Sequence, residues 1–209
     1  MELYLIRHPQ PLGVEGICYG QSEWPVPPIS ATEIQAYREY LPSSLDAVWS
    51  SPSSRCKVLA EALFPGQVQT DARLMEMNFG DWEGRHWNAL DSKELEVWMQ
   101  DFVRVPASGG EALMDLSGRV QQALQEVRRL DCSRVLWVTH AGPIRCVWAA
   151  CLGIPLENIF RIRVEFREVH CFELATDSAQ NGKPNPMQDR WVSWQSLPKR
   201  MDQDYSLSR

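Results

Sequence analysis

The stretch LYLIRHPQP, residues 3–11, decides the fold because four apolar residues run directly into Arg7-His8 and then into prolines. Residues 3–6 predict a short buried strand, and Pro9 and Pro11 prevent its continuation inside a sheet. Taken alone, the arginine and the histidine could be solvated residues at the edge of a strand. A second stretch built in the same way favours a different interpretation.

That second stretch is VLWVTHAGPIR, residues 135–145, in which a buried strand runs into Thr139-His140 and a turn then begins a helix. In open α/β sheets the carboxyl ends of strands and the adjoining helix N termini form the ligand crevice. Either histidine alone is more often structural than functional. The pair at matching strand ends predicts one shared site in which His8 and His140 face each other.

The remaining pattern predicts a three-layer α/β/α sandwich with a mostly parallel sheet. Ser30 and Glu33 form a capping box before one helix, and Pro52 lies near the start of a second. The apolar face of this second helix is predicted to contain Val58, Leu59, Ala62 and Leu63. Two helical patterns within about 82–130 predict a helical insertion across one end of the sheet, over the site. We expect a single domain, residues 1–209.

Composition limits the possible partners and the location of the chain. The net charge of −6, without a run of Lys or Arg, argues against a nucleic-acid partner. Six scattered cysteines without metal-ligand spacing are expected to be reduced and mostly buried. No signal-peptide pattern or membrane-spanning apolar run is present, so we expect a soluble, cytoplasmic protein without a membrane partner. The tryptophan-rich C-terminal strands could form a homodimer interface.

Two further residues extend the candidate site. Arg55 follows a third strand end in VWSSPSSRC, and Glu76 lies within an apolar run in RLMEMNFGDWEG, where it is expected to be partly shielded from water. As isolated features they could be a surface arginine and an exposed loop acid. Together with Arg7 and His140, Arg55 offers charge-assisted donors for an anion with several oxygens, and a phosphoryl group fits best.

This arrangement predicts phosphoryl transfer through histidine. The surrounding cations should lower the pKa of His8 and keep its imidazole neutral and nucleophilic. Glu76 would protonate the departing oxygen and later activate water. The chain has neither a phosphate-binding P-loop motif nor a carboxylate cluster for Mg²⁺, so we expect no metal and no cofactor.

Five motifs then occur in order between residue 3 and about residue 174: LIRHP, SSPSSR, RLMEMNFGDWEG, GGE and VTHAG. They resemble the motifs of the histidine phosphatase superfamily, which has the phosphoglycerate mutase-like fold. The resemblance implies that His8 is the phosphorylated nucleophile, that Glu76 is the acid, and that Arg7, Arg55 and His140 form the phosphate pocket. CYGQSEWPV and FGDWEG are similar to the branch that contains α-ribazole phosphatase of cobalamin assembly.

The first expectation is therefore a metal-independent phosphomonoesterase acting on a small nucleoside-like phosphate such as α-ribazole 5′-phosphate. The alternatives are a broad-specificity sugar-phosphate or nucleotide phosphatase, and a phosphate-binding adaptor with little or no turnover. A mutase of this family would typically carry a longer helical insertion. Pro9 replaces the glycine that is usual in the family, so an amide contact to phosphate is lost there.

Specificity is expected to come from the loop around Gln21 and Ser22, which we predict to bind substrate. Aromatic residues near the pocket would suit a flat base, unless they belong to the core: Tyr19, Trp24, Trp82 and Trp87. A small, doubly charged substrate would instead require an extra cation beside the pocket, where only Arg85 could be placed. His86 and His170 are assigned structural roles.

Overall fold

Six strands form one mixed sheet in the computed structural model, which describes residues 1–175 and 189–197. The strands are β1 (Glu2–Arg7), β2 (Ala47–Ser50), β3 (Val68–Thr70), β4 (Arg134–Thr139), β5 (Glu168–Glu173) and β6 (Arg190–Ser196). Their order across the sheet is β3-β2-β4-β1-β5-β6. The first four in this order are parallel, whereas β5 pairs antiparallel with both β1 and β6. The predicted mostly parallel sheet is confirmed.

Helices cover both faces of the sheet, as predicted for a three-layer sandwich. The helices are α1 (Ala31–Arg38), α2 (Ser54–Leu63), α3 (Ser92–Gln100), α4 (Leu113–Val127) and α5 (Ala141–Leu152). In β1, Leu5 joins the core shared with α4 and α5, whereas Ile6 joins the core shared with α1 and α2. Trp137 and Val138 of β4 divide in the same way. Because both faces are buried, these strands appear in the sequence as continuous apolar runs.

The buried face of α2 contains partly different residues from those predicted. Val58 is 46% exposed, so its assignment to the apolar face of α2 is wrong. With 3.6 residues per turn, the buried stripe through Cys56, Leu59 and Leu63 leaves residue 58 on the solvent side. The predicted start of α1 is correct, since the Ser30 hydroxyl accepts the Glu33 N–H at 3.1 Å. The short strand β3 was not predicted, because it has three residues and two of them are exposed.

The predicted insertion is smaller than 82–130. Its members are α3 and 3₁₀ turns at Gly80–Trp82 and Trp87–Ala89. Trp82 and Trp98 pack edge to face in this segment, with ring centroids 5.6 Å apart. In contrast, α4 packs against α5 and contributes to the core that contains the central strands. The helix α4 is therefore part of one covering layer, and the segment outside the layers ends before it.

Other expectations concern residues away from the candidate site. All six cysteines are free, and all except the partly exposed Cys132 are buried. His170 is buried on β5 with its ring against Trp148, and the exposed His86 accepts the Asn88 N–H at the start of a 3₁₀ turn. Among the described residues, no helix combines the length and the apolar character needed to cross a membrane. About half of each side chain of Trp191 and Trp194 is exposed on β6, and homodimer formation there stays a prediction.

Candidate active site

Two adjacent strands deliver the paired histidines. The central strands β1 and β4 are parallel neighbours, and Arg7 lies beside Thr139 in their register. His8 and His140 are the next residues along each strand, so both leave the sheet at the same edge. Their rings meet at an interplanar angle of 65°, with centroids 4.9 Å apart. The structure thus brings together the two histidines that the sequence motifs single out.

His8 is held as a neutral imidazole with a free Nε2. The side chain is 2% exposed, and Nδ1 lies 2.7 Å from the Pro9 carbonyl oxygen. Because a carbonyl oxygen only accepts, Nδ1 carries the proton and Nε2 the lone pair. Burial lowers the pKa of His8 well below its ordinary value, and repulsion from Arg55 and Arg7 lowers it further. Residue 9 contributes its carbonyl oxygen as the acceptor for His8 Nδ1–H. Proline has this carbonyl, as glycine would, so the contact does not require glycine.

Arg55 is the most deeply buried cation near the two histidines. It is fully buried on the first turn of α2, where Nη1 donates to Ser22 O at 2.8 Å and Nη2 to Gly20 O at 2.5 Å. Nη2 also lies 3.3 Å from His140 Nδ1. Its buried Nε has no hydrogen-bond partner among the described residues. An unpaired buried donor costs about 1–3 kcal/mol, so this nitrogen favours an acceptor in the pocket.

His140 is also neutral, but both of its ring nitrogens have partners. Arg55 can only donate, so Nδ1 of His140 accepts, and Nε2–H then donates to the Ser51 hydroxyl at 2.8 Å. Burial first, and then the neighbouring His8 and Arg55, hold the pKa of His140 well below its ordinary value. To donate to a bound anion, as predicted, His140 would exchange one of these two partners. Ser51 was not identified from the sequence.

Arg7 is the second guanidinium group close enough to His8 to lower its pKa. Its guanidinium carbon is 3.6 Å from the centroid of the Phe166 ring, and Nη1 donates to Val164 O at 2.7 Å. Its buried Nε, like that of Arg55, has no partner within the described part of the chain. Two guanidinium groups therefore present unsatisfied donors beside one imidazole. Such a set suits an anion with several oxygens.

The side chain of Glu76, which belongs to the loop after β3, contacts the N terminus of α5. Its half-buried carboxylate accepts the Met77 N–H at 2.9 Å through Oε1 and the Gly142 N–H at 3.1 Å through Oε2. A Cβ atom on residue 142 would lie 2.0 Å from Oε1, so this close approach requires glycine. The partial shielding predicted from the sequence is present. The carboxylate is thereby fixed at the helix terminus that also carries His140.

A half-buried ion pair of Arg119 and Glu111 supports the Glu76 loop, and the role of Arg119 was not predicted. Arg119 of α4 donates through Nη1 to Met75 O at 2.6 Å and through Nη2 to Glu76 O at 2.8 Å. Glu111 pairs with Arg119 at 3.0 Å and accepts the Asn78 N–H at 2.8 Å. Glu111 of the GGE motif thus stabilises the Glu76 loop, directly through the Asn78 N–H and indirectly through Arg119. No local pattern marks Arg119, because its partners are backbone carbonyls about 45 residues away, beyond the reach of helix-period arguments.

Gln21 and Ser22 contact protein groups in this structure. Gln21 Nε2 donates to Glu76 O at 3.0 Å, and the Ser22 hydroxyl hydrogen-bonds to Glu83. The Glu83 carboxylate also accepts the N–H groups of Gln21, Ser22 and Phe79. Burial alone would raise the pKa of Glu83, but these hydrogen bonds outweigh it and lower the pKa. Glu83 therefore clamps the loop whose carbonyls hold Arg55, and substrate binding by Gln21 and Ser22 stays a prediction.

The positive charge of the site comes from side chains. Among residues 1–175 and 189–197, no group of three or more His, Cys, Asp or Glu side chains is arranged to hold a metal ion. The site instead combines two guanidinium groups, two neutral imidazoles and one carboxylate at a helix terminus.

Comparison with known proteins agrees with this geometry. The sequence model of the histidine phosphatase superfamily (branch 1) matches residues 3–185. The chain belongs to the histidine phosphatase superfamily. It is 30% identical over 179 residues to the putative phosphoserine phosphatase 2 of Hydrogenobacter thermophilus, which covers 80% of this chain and 88% of that protein.

Two α-ribazole phosphatases are also similar to this histidine phosphatase. The adenosylcobalamin/α-ribazole phosphatase of Escherichia coli is 28% identical over 176 residues, covering 79% of this chain and 86% of the relative. The crystal structure of the α-ribazole phosphatase from Shigella flexneri superposes with a TM-score of 0.73 at 27% identity, covering 83% of this chain and 91% of that one. These three relatives are named as phosphatases, and the phosphoglycerate mutase-like fold is confirmed.

Proposed function

We propose that this chain is a metal-independent phosphomonoesterase that forms a phosphohistidine at His8. In the first step His8 Nε2 attacks the phosphorus atom, the ester P–O bond breaks, and Glu76 gives its proton to the departing alcohol oxygen. In the second step Glu76 takes a proton from water, and the hydroxide attacks the phosphorus atom. The bond between phosphorus and His8 Nε2 breaks as inorganic phosphate forms, so His8 is again a neutral imidazole and Glu76 again carries a proton.

The observation that carries this proposal is the state of His8. Its Nδ1–H is committed to Pro9 O, which leaves the lone pair on Nε2 available as a nucleophile. The guanidinium groups of Arg55 and Arg7 lie close enough to this imidazole to lower its pKa, and their buried Nε atoms have no acceptor among the described residues. Phosphoryl transfer depends mainly on positioning and on neutralising the oxygens around phosphorus, and these groups supply both.

The first candidate substrate is a small nucleoside-like phosphate, with α-ribazole 5′-phosphate as its representative. The motif resemblance and the names of two relatives support it. Tyr19 also supports it, because its ring centroid lies 5.6 Å from the Arg55 guanidinium carbon. Trp82 and Trp87 do not, since Trp82 is 2% exposed and contacts Trp87 within the insertion. Aromatic support for a flat base is therefore weaker than predicted.

Broad-specificity phosphatase activity and phosphate binding without turnover remain the alternatives. One relative is named a putative phosphoserine phosphatase, which widens the set of alcohols to test. The free cysteines and the net charge of −6 support a cytoplasmic enzyme that acts on small esters rather than on nucleic acid.

The deciding experiment is rapid acid-free quenching of enzyme mixed with ³²P-labelled monoester, followed by tests of acid and base stability of the bound label. We expect an acid-labile, base-stable phosphoenzyme that forms within one turnover and is absent from His8→Ala. An adaptor would bind phosphate esters without accumulating label or releasing phosphate. That result would overturn the proposal.

A further inference from the structure

We infer that Arg145 binds a second anionic group of the substrate, so that the preferred ester carries a carboxylate close to its phosphate. This inference rests on the proposed phosphatase function, but it favours a phosphoserine-like ester over the nucleoside-like phosphate named above as the first candidate. No sequence motif marks Arg145, which lies on α5 one turn beyond Gly142. Residues three apart on a helix share a face, so Arg145 lies on the side of α5 where Gly142 meets Glu76.

The same loop segment anchors Arg145 and the phosphate-pocket residue Arg7. Arg145 Nε donates to Ile162 O at 2.9 Å, and Arg7 Nη1 donates to Val164 O at 2.7 Å. Ile162 has extended backbone, with φ −80° and ψ 114°. Residues two apart in an extended chain point to the same side and lie roughly 6–7 Å apart. The two guanidinium groups are therefore anchored two residues apart on one segment, close enough for Arg7 to lower the pKa of Arg145.

Aromatic rings brace both guanidinium groups. The Arg145 guanidinium carbon lies 5.7 Å from the centroid of Phe160, and that of Arg7 lies 3.6 Å from the centroid of Phe166. Arg7 is packed on its ring and Arg145 lies within cation–π distance of its own, and each is anchored through one nitrogen, which leaves the remaining N–H groups available. The fork of N–H groups on a guanidinium matches the two oxygens of a carboxylate.

Arg145 lacks a counter-ion of its own. Its side chain is half-buried, and Nη1 and Nη2 donate to no other described residue. Burial lowers the pKa of Arg145, repulsion from Arg7 adds to this, and attraction from Glu76 and Glu165 opposes it. Glu76 is committed to Met77 and Gly142, and Glu165 pairs with Arg163 at 2.8 Å. A partly desolvated cation beside the phosphate pocket is thus left for a ligand to neutralise.

Arg145 takes the place that the sequence assigned to Arg85. Arg85 is exposed and donates through Nη2 to Ala89 O at 2.7 Å, within the insertion. A phosphorylated hydroxy acid or amino acid of three carbons places its carboxylate within one side-chain length of the phosphate. With the phosphate between Arg7 and Arg55, that carboxylate can reach the neighbouring guanidinium of Arg145.

The test uses two substrates that differ only in the carboxylate, O-phospho-L-serine and O-phosphoethanolamine. We expect the native enzyme to have the higher kcat/KM for phosphoserine. In Arg145→Met the ratio of the two kcat/KM values should fall about 10- to 100-fold, the size expected for a lost charge-assisted hydrogen bond. Arg145→Lys, which keeps the charge without the fork, should retain part of the preference. The matched control is Arg163→Met, whose side chain is 90% exposed on the same segment and whose ratio should not change.

The outcomes separate this inference from the proposed function. Equal turnover of the two substrates by the native enzyme, or an unchanged ratio in both Arg145 variants, would overturn the role of Arg145 and leave the phosphatase intact. A clear preference for α-ribazole 5′-phosphate over phosphoserine would do the same. Failure of every ester to give phosphate or a phosphoenzyme would overturn the proposed function itself.

Discussion

Glu76 and Gly142 meet at the first turn of α5, where Glu76 Oε2 accepts the Gly142 N–H at 3.1 Å. The contact joins the loop that carries the proposed acid to the helix that begins beside His140. Since any Cβ at residue 142 would lie 2.0 Å from Glu76 Oε1, a single methyl group can displace the carboxylate. The position of the acid can therefore be tested without changing the acid itself.

Gly142→Ala should lower kcat/KM for alkyl phosphate esters by up to about 100-fold, because an error of about 1 Å in positioning can have that effect. p-Nitrophenyl phosphate, whose leaving group needs little protonation, should lose less. The matched control is Gly118→Ala on α4, where an added Cβ meets no atom within 4 Å. It should leave both rates unchanged and raise the free energy of unfolding by up to about 1 kcal/mol. Equal losses on both esters in Gly142→Ala would argue against displacement of the acid.

Glu76→Gln removes the proton donor and keeps the shape of the side chain. General acid catalysis typically contributes 10²–10⁴-fold, so turnover of esters with poor leaving groups should fall by about that factor. An aryl phosphate should be less affected in the first step. Single-turnover and steady-state rates on both classes of ester provide the measurement. A uniform loss would remove Glu76 from the acid role and leave it as an activator of water.

The sequence predicted the centre of the site better than its supports. His8 and His140 could be placed together because the carboxyl ends of neighbouring parallel strands share one edge of the sheet. The roles of Arg119 and Glu83 could not be predicted, because each hydrogen-bonds to backbone groups of a loop that is distant in the sequence. Trp82 could have lined the pocket or the core, and only packing decides between these. Side-chain-to-backbone hydrogen bonds between distant segments leave no periodic signal.

His8→Ala should abolish turnover and phosphoenzyme formation while the protein remains folded. The reason is that Nε2 of His8 is the nucleophile, whereas the side chain makes a single hydrogen bond, to the adjacent Pro9. Phosphate release from a monoester panel and circular dichroism are the two measurements. Near-native turnover by a folded His8→Ala protein would exclude the phosphohistidine route.

Exhaustive chelation should leave activity intact. The proposed charge neutralisation comes from Arg7 and Arg55, whose buried Nε donors await an acceptor. The measurement is kcat/KM before and after dialysis against EDTA, with Mg²⁺ and Zn²⁺ added back in separate samples. Loss of activity that either ion restores would show that a metal takes part and that the proposed chemistry is incomplete.

The stability of the protein should fall as the pH drops below about 6.5. Burial first, and then neighbouring cationic and imidazole groups, lower the pKa of both His8 and His140 in the folded state. The unfolded chain takes up protons on these imidazoles below about pH 6.5, whereas the folded chain does not until its lower pKa values are reached. The stability that these groups provide is thus fully present above pH 6.5 and is lost on acidification. Each imidazole contributes a slope of up to about 1.4 kcal/mol per pH unit.

Urea unfolding at pH 7.5, 6.5 and 5.5 measures this slope directly. His8→Ala should remove up to half of the loss between pH 6.5 and 5.5, because one of the two imidazoles whose pKa is lowered is gone. His86→Ala, which removes an exposed ring outside the site, is measured beside it as the matched substitution. If His8→Ala keeps the native slope, the imidazole of His8 already binds a proton in the folded state near pH 6. Its Nε2 would then be a donor to the phosphate rather than the nucleophile that attacks it.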